Sequence, residues 1–302
     1  MNSEQASLAF TAPTIPVLAV VGVGLIGGSF AAALRRSGQA GRILGVGRRQ
    51  NALEQALRLG LIDEAASLEQ AAAEADLILL ATPVRGISAV LSAMRDALRP
   101  GAVVTDAGST KGEVIAAARA ALGGRIGQFV PGHPIAGSDA AGPSAADPDL
   151  YVGCNVILTP LAENSESAIV RVANAWEHCG ARVQCLPADQ HDAVLGSISH
   201  LPHWLASLYM LHVAQADDAD LRLALAGSGF RDFTRIAAGS PEVWRDIFLS
   251  NRAAMLDELR TLRGVLDRAE QVLQAGDSDA LYALLDQAAA TRRSWSEPVN
   301  GK

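Results

Sequence analysis

The sequence predicts an α/β domain built on a doubly wound parallel sheet, followed by an all-α domain. Three observations carry that prediction. Short apolar runs alternate with helical patterns as far as Pro187, a glycine-rich turn follows the first run, and no convincing strand appears after Pro187. A chain of 302 residues is long for one core and comfortable for two domains. The boundaries read as 16–187 for the first domain and 188–296 for the second.

Residues 1–15 read as a loose leader. The strand candidates then follow as "VLAVVG" (17–22), "RILGVG" (42–47), "DLILLAT" (76–82), "AVVTDAG" (102–108), "QFVPGH" (128–133), "CNVILTP" (154–160) and "ARVQCLP" (181–187). Segments such as "NALEQALRLG" and "KGEVIAAARAAL" lie between them and read as helices covering both faces of one parallel sheet. In the second domain, Phe248, Met255, Leu259, Leu262, Leu266 and Leu273 recur at helical spacing along "WRDIFLSNRAAMLDELRTLRGVLDRAEQVL". One long helix with a single apolar stripe is expected there, packing within its domain and against a partner subunit in a homodimer.

Composition narrows the function. The formal net charge of −7 speaks against a nucleic-acid or anionic-membrane role. The uncharged run from Val17 to Leu34 contains four glycines, which suit strand, loop and helix start rather than a membrane span. No basic residue precedes Arg35, so the charged start of a signal peptide is missing. Cys154, Cys179 and Cys185 show no CxxC spacing; they read as reduced thiols of a cytoplasmic protein, with no metal site expected.

The clearest motif is "VVGVGLIGGSF", in which Gly22, Gly24 and Gly27 form GxGxxG between an apolar strand and an apolar helix. The first glycine permits the tight turn, and the second lets the backbone approach a pyrophosphate. The third brings helix and strand together, and the helix's first amides, from Leu25 and Ile26, face the phosphates. This is the Rossmann-type dinucleotide site. NAD is usually held by an acid about 20 residues further on. Here no Asp or Glu occurs between Gly27 and Glu54, and the second strand ends in Gly47, Arg48 and Arg49. Two guanidiniums suit a 2′-phosphate, so NADP is favoured over NAD.

In such a sheet, substrate meets cofactor beyond the carboxyl ends of the strands. Thr82 and Pro83 in "ATPVRG" are expected to border the cofactor. "DAGSTKG" brings Ser109 and Lys111 to the same edge, and "GHPIAGSD" brings His133 and Asp139. A histidine beside a nicotinamide is suited to take an alcohol proton while hydride leaves the same carbon.

Six stretches in this order, "GVGLIGGS", "ATPV", "DAGSTKG", "GHPIAGSD", "ISHLPH" and "GFRDFTRIA", resemble the prephenate and arogenate dehydrogenases of tyrosine biosynthesis over roughly residues 17–250. The resemblance implies a Rossmann domain followed by a helical dimerisation domain, and oxidative decarboxylation of a cyclohexadienol. It implies that His133 is the catalytic base, with Ser109 bonding either His133 or the substrate hydroxyl. Arg235 would hold a substrate carboxylate, while His200 and His203 would line the pocket. His191 and Asp232 also match and are expected to be orienting or structural. Asp139 is either a partner for the ammonium of arogenate or a loop-capping acid, which leaves both substrates open; prephenate is preferred only because the family resembled is named more broadly for it, and arogenate is kept as the alternative.

Two other readings compete. β-Hydroxyacid dehydrogenases share this layout but use a lysine in the helical domain as acid and base, and this chain has no lysine between Lys111 and Lys302. A non-catalytic dinucleotide sensor would not need Ser109, His133 and Arg235 together.

Overall fold

The computed structural model describes residues 13–137 and 140–295, so most of the expected leader, and Asp139, lie outside the described residues. The chain divides into two units, Met1–His191 and Asp192–Lys302. The first contains β1 (Ile15–Val21), α1 (Leu25–Arg36), β2 (Ala40–Val46), α2 (Gln50–Arg58), β3 (Glu64–Ala65), α3 (Leu68–Glu74), β4 (Leu77–Leu80) and α4 (Val84–Met94). It continues with β5 (Val103–Asp106), α5 (Gly112–Leu122), β6 (Phe129–Val130), β7 (Gly132–Pro134), β8 (Asn155–Leu158), α6 (Glu166–His178) and β9 (Arg182–Cys185). After α7 (Ala188–Leu195), the second unit has a π-helical turn at Gly196–His200, then α8 (Leu201–Ala214), α9 (Ala219–Ala224), α10 (Ser228–Thr234), α11 (Pro241–Ser250), α12 (Arg252–Ala275) and α13 (Ser278–Ser294).

Six strands form one parallel sheet in the order β3-β2-β1-β4-β5-β6. The central strands are apolar runs such as "LILL", buried on both faces because helices cover both sides. On one face Trp176 from α6 is fully buried, its ring 4.4 Å from Phe30 and 5.1 Å from Tyr151.

Three details differ from the sequence-based expectation. The stretch "QFVPGH" is two strands: β6 pairs with β5, while β7 leaves to join β8 and β9 in a separate three-stranded sheet, antiparallel to β8. Pro131 sits at the break. It has no N–H to continue the ladder, and its carbonyl instead accepts from Thr159 N at 3.0 Å. The two-residue β3, too short and polar to register as a strand, adds an edge beside β2.

The expected continuous helix is broken at Asn251 into α11 and α12. Asn251 is buried, and its Nδ2 donates to the Asp192 carbonyl at 2.8 Å and lies 3.0 Å from His200 Nδ1. The backbone of Asn251, at φ −107° and ψ 28°, leaves the helical region, and its side chain ties the break to Asp192 and His200.

The second unit buries little of its apolar surface. Its buried apolar residues among those described are Leu195, Leu201, Ala206, Val213, Ile247 and Met255. Of the expected stripe, Met255 is buried, whereas Leu266 and Leu273 are exposed by 59% and 65%. No helix among the described residues is long and apolar enough to cross a membrane.

Trp176 anchors one face of the sheet, so Trp176→Ala leaves a cavity that neighbouring rings cannot fill. Chemical denaturation should report a loss of about 3–5 kcal/mol; a change below about 1 kcal/mol would mean that the site collapses around the truncation.

Candidate active site

β1 lies between β2 and β4, where the strand order reverses. Loops leaving neighbouring parallel strands diverge at such a point and open a crevice beyond their carboxyl ends. Gly22 leaves β1 with φ +99°, and a Cβ there would sit 2.4 Å from the Ala81 carbonyl oxygen at the end of β4. A Cβ on Gly27 would meet the Gly22 carbonyl oxygen at 2.2 Å, so α1 packs directly against the turn. Gly24 differs: nothing lies within 4 Å of the position its Cβ would take.

α1 begins at Leu25 and Ile26 with no acid in its first turn and no side-chain cap, so its first amides and positive dipole end remain available to an anion. The Tyr151 hydroxyl donates to the Ile26 carbonyl at 2.6 Å, and burial pushes this phenol well above its ordinary pKa, which keeps it a donor. Close packing at Gly22 and Gly27, open backbone at Gly24 and an acid-free helix start fit the pyrophosphate of a dinucleotide.

Thr82 follows β4 with its Oγ1 buried and without a hydrogen-bond partner among the described residues, and Pro83 caps the start of α4. After β2, Arg48 and Arg49 are exposed and make no ion pair or side-chain hydrogen bond with described residues.

β5 ends at Asp106, and the turn after it carries Ser109, which is half-buried. His133 lies in β7 opposite Ile157 and is 8% exposed. Its Nδ1 is 2.9 Å from Nε2 of the fully buried His191, with the rings 5.1 Å apart edge to face. One nitrogen donates and the other accepts. If His133 carries its proton on Nδ1, its lone pair is on Nε2, and His191 supports the imidazolium that forms when Nε2 is protonated. His191 thus takes the partner position that the sequence reading offered to Ser109, which makes no hydrogen bond with described residues.

Asp106 and Lys111, both 0% exposed, form an ion pair of 2.6 Å. Neither residue of this pair carries a catalytic or binding role among the sequence-based expectations. The available signal was an acid closing an apolar strand, five residues before one of only two lysines.

In the second unit, His200 is buried and His203 half-buried on either side of Pro202. The expected kink takes the form of the π turn that ends at His200, with Pro202 in the first turn of α8. The Asp192 carbonyl can only accept, so the Asn251 amide presents its NH2 group there and, through the same nitrogen, to His200 Nδ1. A neutral His200 therefore carries its proton on Nε2. His203 is the opposite tautomer, because its Nδ1 donates to the Ser199 carbonyl at 2.9 Å, and its ring stacks on Trp244 at 3.6 Å. Arg235 closes α10 on a short turn packed against α8; it is exposed and makes no ion pair with described residues.

The glycine turn yields a direct test. Gly22→Ala requires a positive φ that costs a non-glycine residue about 1–2 kcal/mol, in addition to the clash with Ala81. Calorimetric titration should find dinucleotide affinity weakened on the order of tenfold or more; unchanged affinity would exclude this turn as the pyrophosphate site.

Comparison with known proteins agrees with this geometry. Residues 30–185 match the family model described as prephenate dehydrogenase, nucleotide-binding domain, and residues 187–287 match prephenate dehydrogenase, dimerization domain. A cyclohexadienyl dehydrogenase from Zymomonas mobilis is 34% identical over 267 residues, covering 87% of this chain and 90% of that protein. The crystal structure of prephenate dehydrogenase from A. aeolicus, in complex with hydroxyphenyl propionate and NAD+, superposes with a TM-score of 0.87 at 34% identity, covering 92% of this chain and 98% of that one. The Synechocystis arogenate dehydrogenase superposes with a TM-score of 0.81 at 32% identity, covering 93% and 100%. The chain is a nicotinamide-dinucleotide-dependent oxidoreductase and belongs to the prephenate dehydrogenase family.

Proposed function

We propose that this protein oxidatively decarboxylates prephenate to 4-hydroxyphenylpyruvate, with His133 as the base. The observation that carries this reading is the His133–His191 contact at 2.9 Å, on the carboxyl edge of a dinucleotide-binding sheet. His191 accepts from His133 Nδ1 and so directs the Nε2 lone pair toward the hydroxyl on C4 of the substrate. A bound, oxidised nicotinamide would supply the acceptor for the hydride that leaves C4. His133 takes the hydroxyl proton as the C4–O bond becomes a carbonyl. The bond from C1 to its carboxylate then breaks, CO2 departs, and the released electron pair makes the ring aromatic. The C4 oxygen becomes a phenolate and recovers its proton from His133, so atoms and charge balance without a further reactant.

Ser109 binds the substrate hydroxyl, and Arg235 holds a substrate carboxylate with a guanidinium that no described acid neutralises. His200 and His203 are assigned to substrate binding, and Asp139, outside the described residues, keeps its two sequence-based readings as a partner for an ammonium or a loop cap. Arg48 and Arg49 favour NADP through its 2′-phosphate, while Gly22, Gly24, Leu25, Ile26, Gly27, Thr82 and Pro83 form the rest of the dinucleotide site. The protein works as a homodimer in the cytoplasm: a second unit with exposed Leu225, Leu266, Leu273 and Tyr282 calls for a partner surface, and the free cysteines suit a reducing compartment. Arogenate, with an amino acid side chain in place of the pyruvyl group, would undergo the same ring chemistry to give tyrosine.

Near-ultraviolet absorbance of reduced nicotinamide follows the reaction for prephenate or arogenate with NADP or NAD. The highest kcat/KM is expected for prephenate with NADP; a higher value for arogenate would reassign the substrate, and no signal in any combination would sink the enzyme reading. His133→Asn should lower kcat about 10²–10⁴-fold with little change in KM. Equal losses in both would contradict the base role. Replacing Arg48 and Arg49 with Ala should raise KM for NADP on the order of tenfold and leave KM for NAD unchanged, since a charge-assisted bond is worth about 1.5–3 kcal/mol.

A further inference from the structure

The buried carboxylate of Asp106 receives three donors. Its Oδ2 accepts from Gly108 N at 2.9 Å and from Lys111 Nζ at 2.6 Å, and its Oδ1 accepts from Gly132 N at 3.0 Å. Lys111 Nζ also donates to the Gly132 carbonyl at 2.6 Å. Gly132 is therefore gripped at both its N–H and its C=O by the two ends of one ion pair. Gly108 directly precedes Ser109, and Gly132 directly precedes His133. One carboxylate thus fixes the backbone immediately before each of the two polar side chains at the reaction edge.

Only an acceptor with two oxygens satisfies this arrangement. An amide in its place would turn its NH2 toward at least one of the three donors. For stability alone a buried ion pair is a poor device, because desolvation offsets much of its attraction. What this pair supplies is direction, holding two loops from different strands in one fixed relation.

We infer that Asp106 and Lys111 are positioning residues for the reaction: their ion pair sets the placement of the His133 imidazole and the Ser109 hydroxyl without touching substrate. The inference rests on the reading of His133 as the base. Displacement of a reacting group by about 1 Å costs roughly 10²-fold in rate.

The test measures kcat, KM and dinucleotide Kd for Asp106→Asn, Lys111→Met and the double variant Asp106→Asn/Lys111→Met, beside His133→Asn. The double variant leaves no uncompensated buried charge and carries the same criterion if either single variant fails to fold. The expected result is a loss in kcat of about 10²-fold with dinucleotide Kd within about threefold of the parent. Folded variants that keep kcat within about threefold, or that lose dinucleotide affinity in step with kcat, overturn the positioning role. Full activity in His133→Asn would instead overturn the underlying reading of the base.

Discussion

An ammonium and a carboxylate, both shut away from solvent and 2.6 Å apart, tie the turn after β5 to the start of β7. Each alone would be a costly charge in a low-dielectric interior. Paired, and with the remaining hydrogen bonds directed at two backbone segments, they are satisfied only while β5 and β7 keep one spacing. β7 lies outside the parallel sheet. It follows β6 after Pro131 and pairs with β8, so the ladder of the six-stranded sheet does not reach His133. The ion pair adds a side-chain tie from the end of β5 to Gly132.

The dinucleotide half of the site rests on a different constraint, close approach of backbone to backbone. Gly22 turns against the Ala81 carbonyl and Gly27 turns against Gly22, which draws the start of α1 to the point where β1 and β4 diverge. In the proposed reading, the His133 ring nitrogen supplies a base and the first amides of α1 supply an anion site. A hydride-transfer enzyme with a charged cofactor requires both.

Much of this was legible in the sequence because it rests on local signals. GxGxxG between two apolar segments, the strand-helix alternation and the absence of a lysine from the helical half each bear on fold or chemistry without long-range information. The Asp106–Gly132 contact was not legible, because it joins residues 26 apart that meet only after β6 and β7 separate. Nor was the break at Asn251, where the apolar period runs on without interruption. The residue at that break bonds partners far along the chain, Asp192 and His200. His191 was visible as a matched residue, but its contact with His133 depends on folding across 58 positions. The weak core of the second unit was hinted at by the apolar stripe, whose two ends turn out to have different burial.

The central claim concerns a proton: His133 carries it on Nδ1, shares it with His191, and offers Nε2 to the substrate. Ring 15N chemical shifts of His133 at neutral pH test this most directly. The account predicts a protonated-type Nδ1 and a lone-pair-type Nε2. A protonated-type Nε2 with a lone-pair-type Nδ1 accepting from His191 would contradict it.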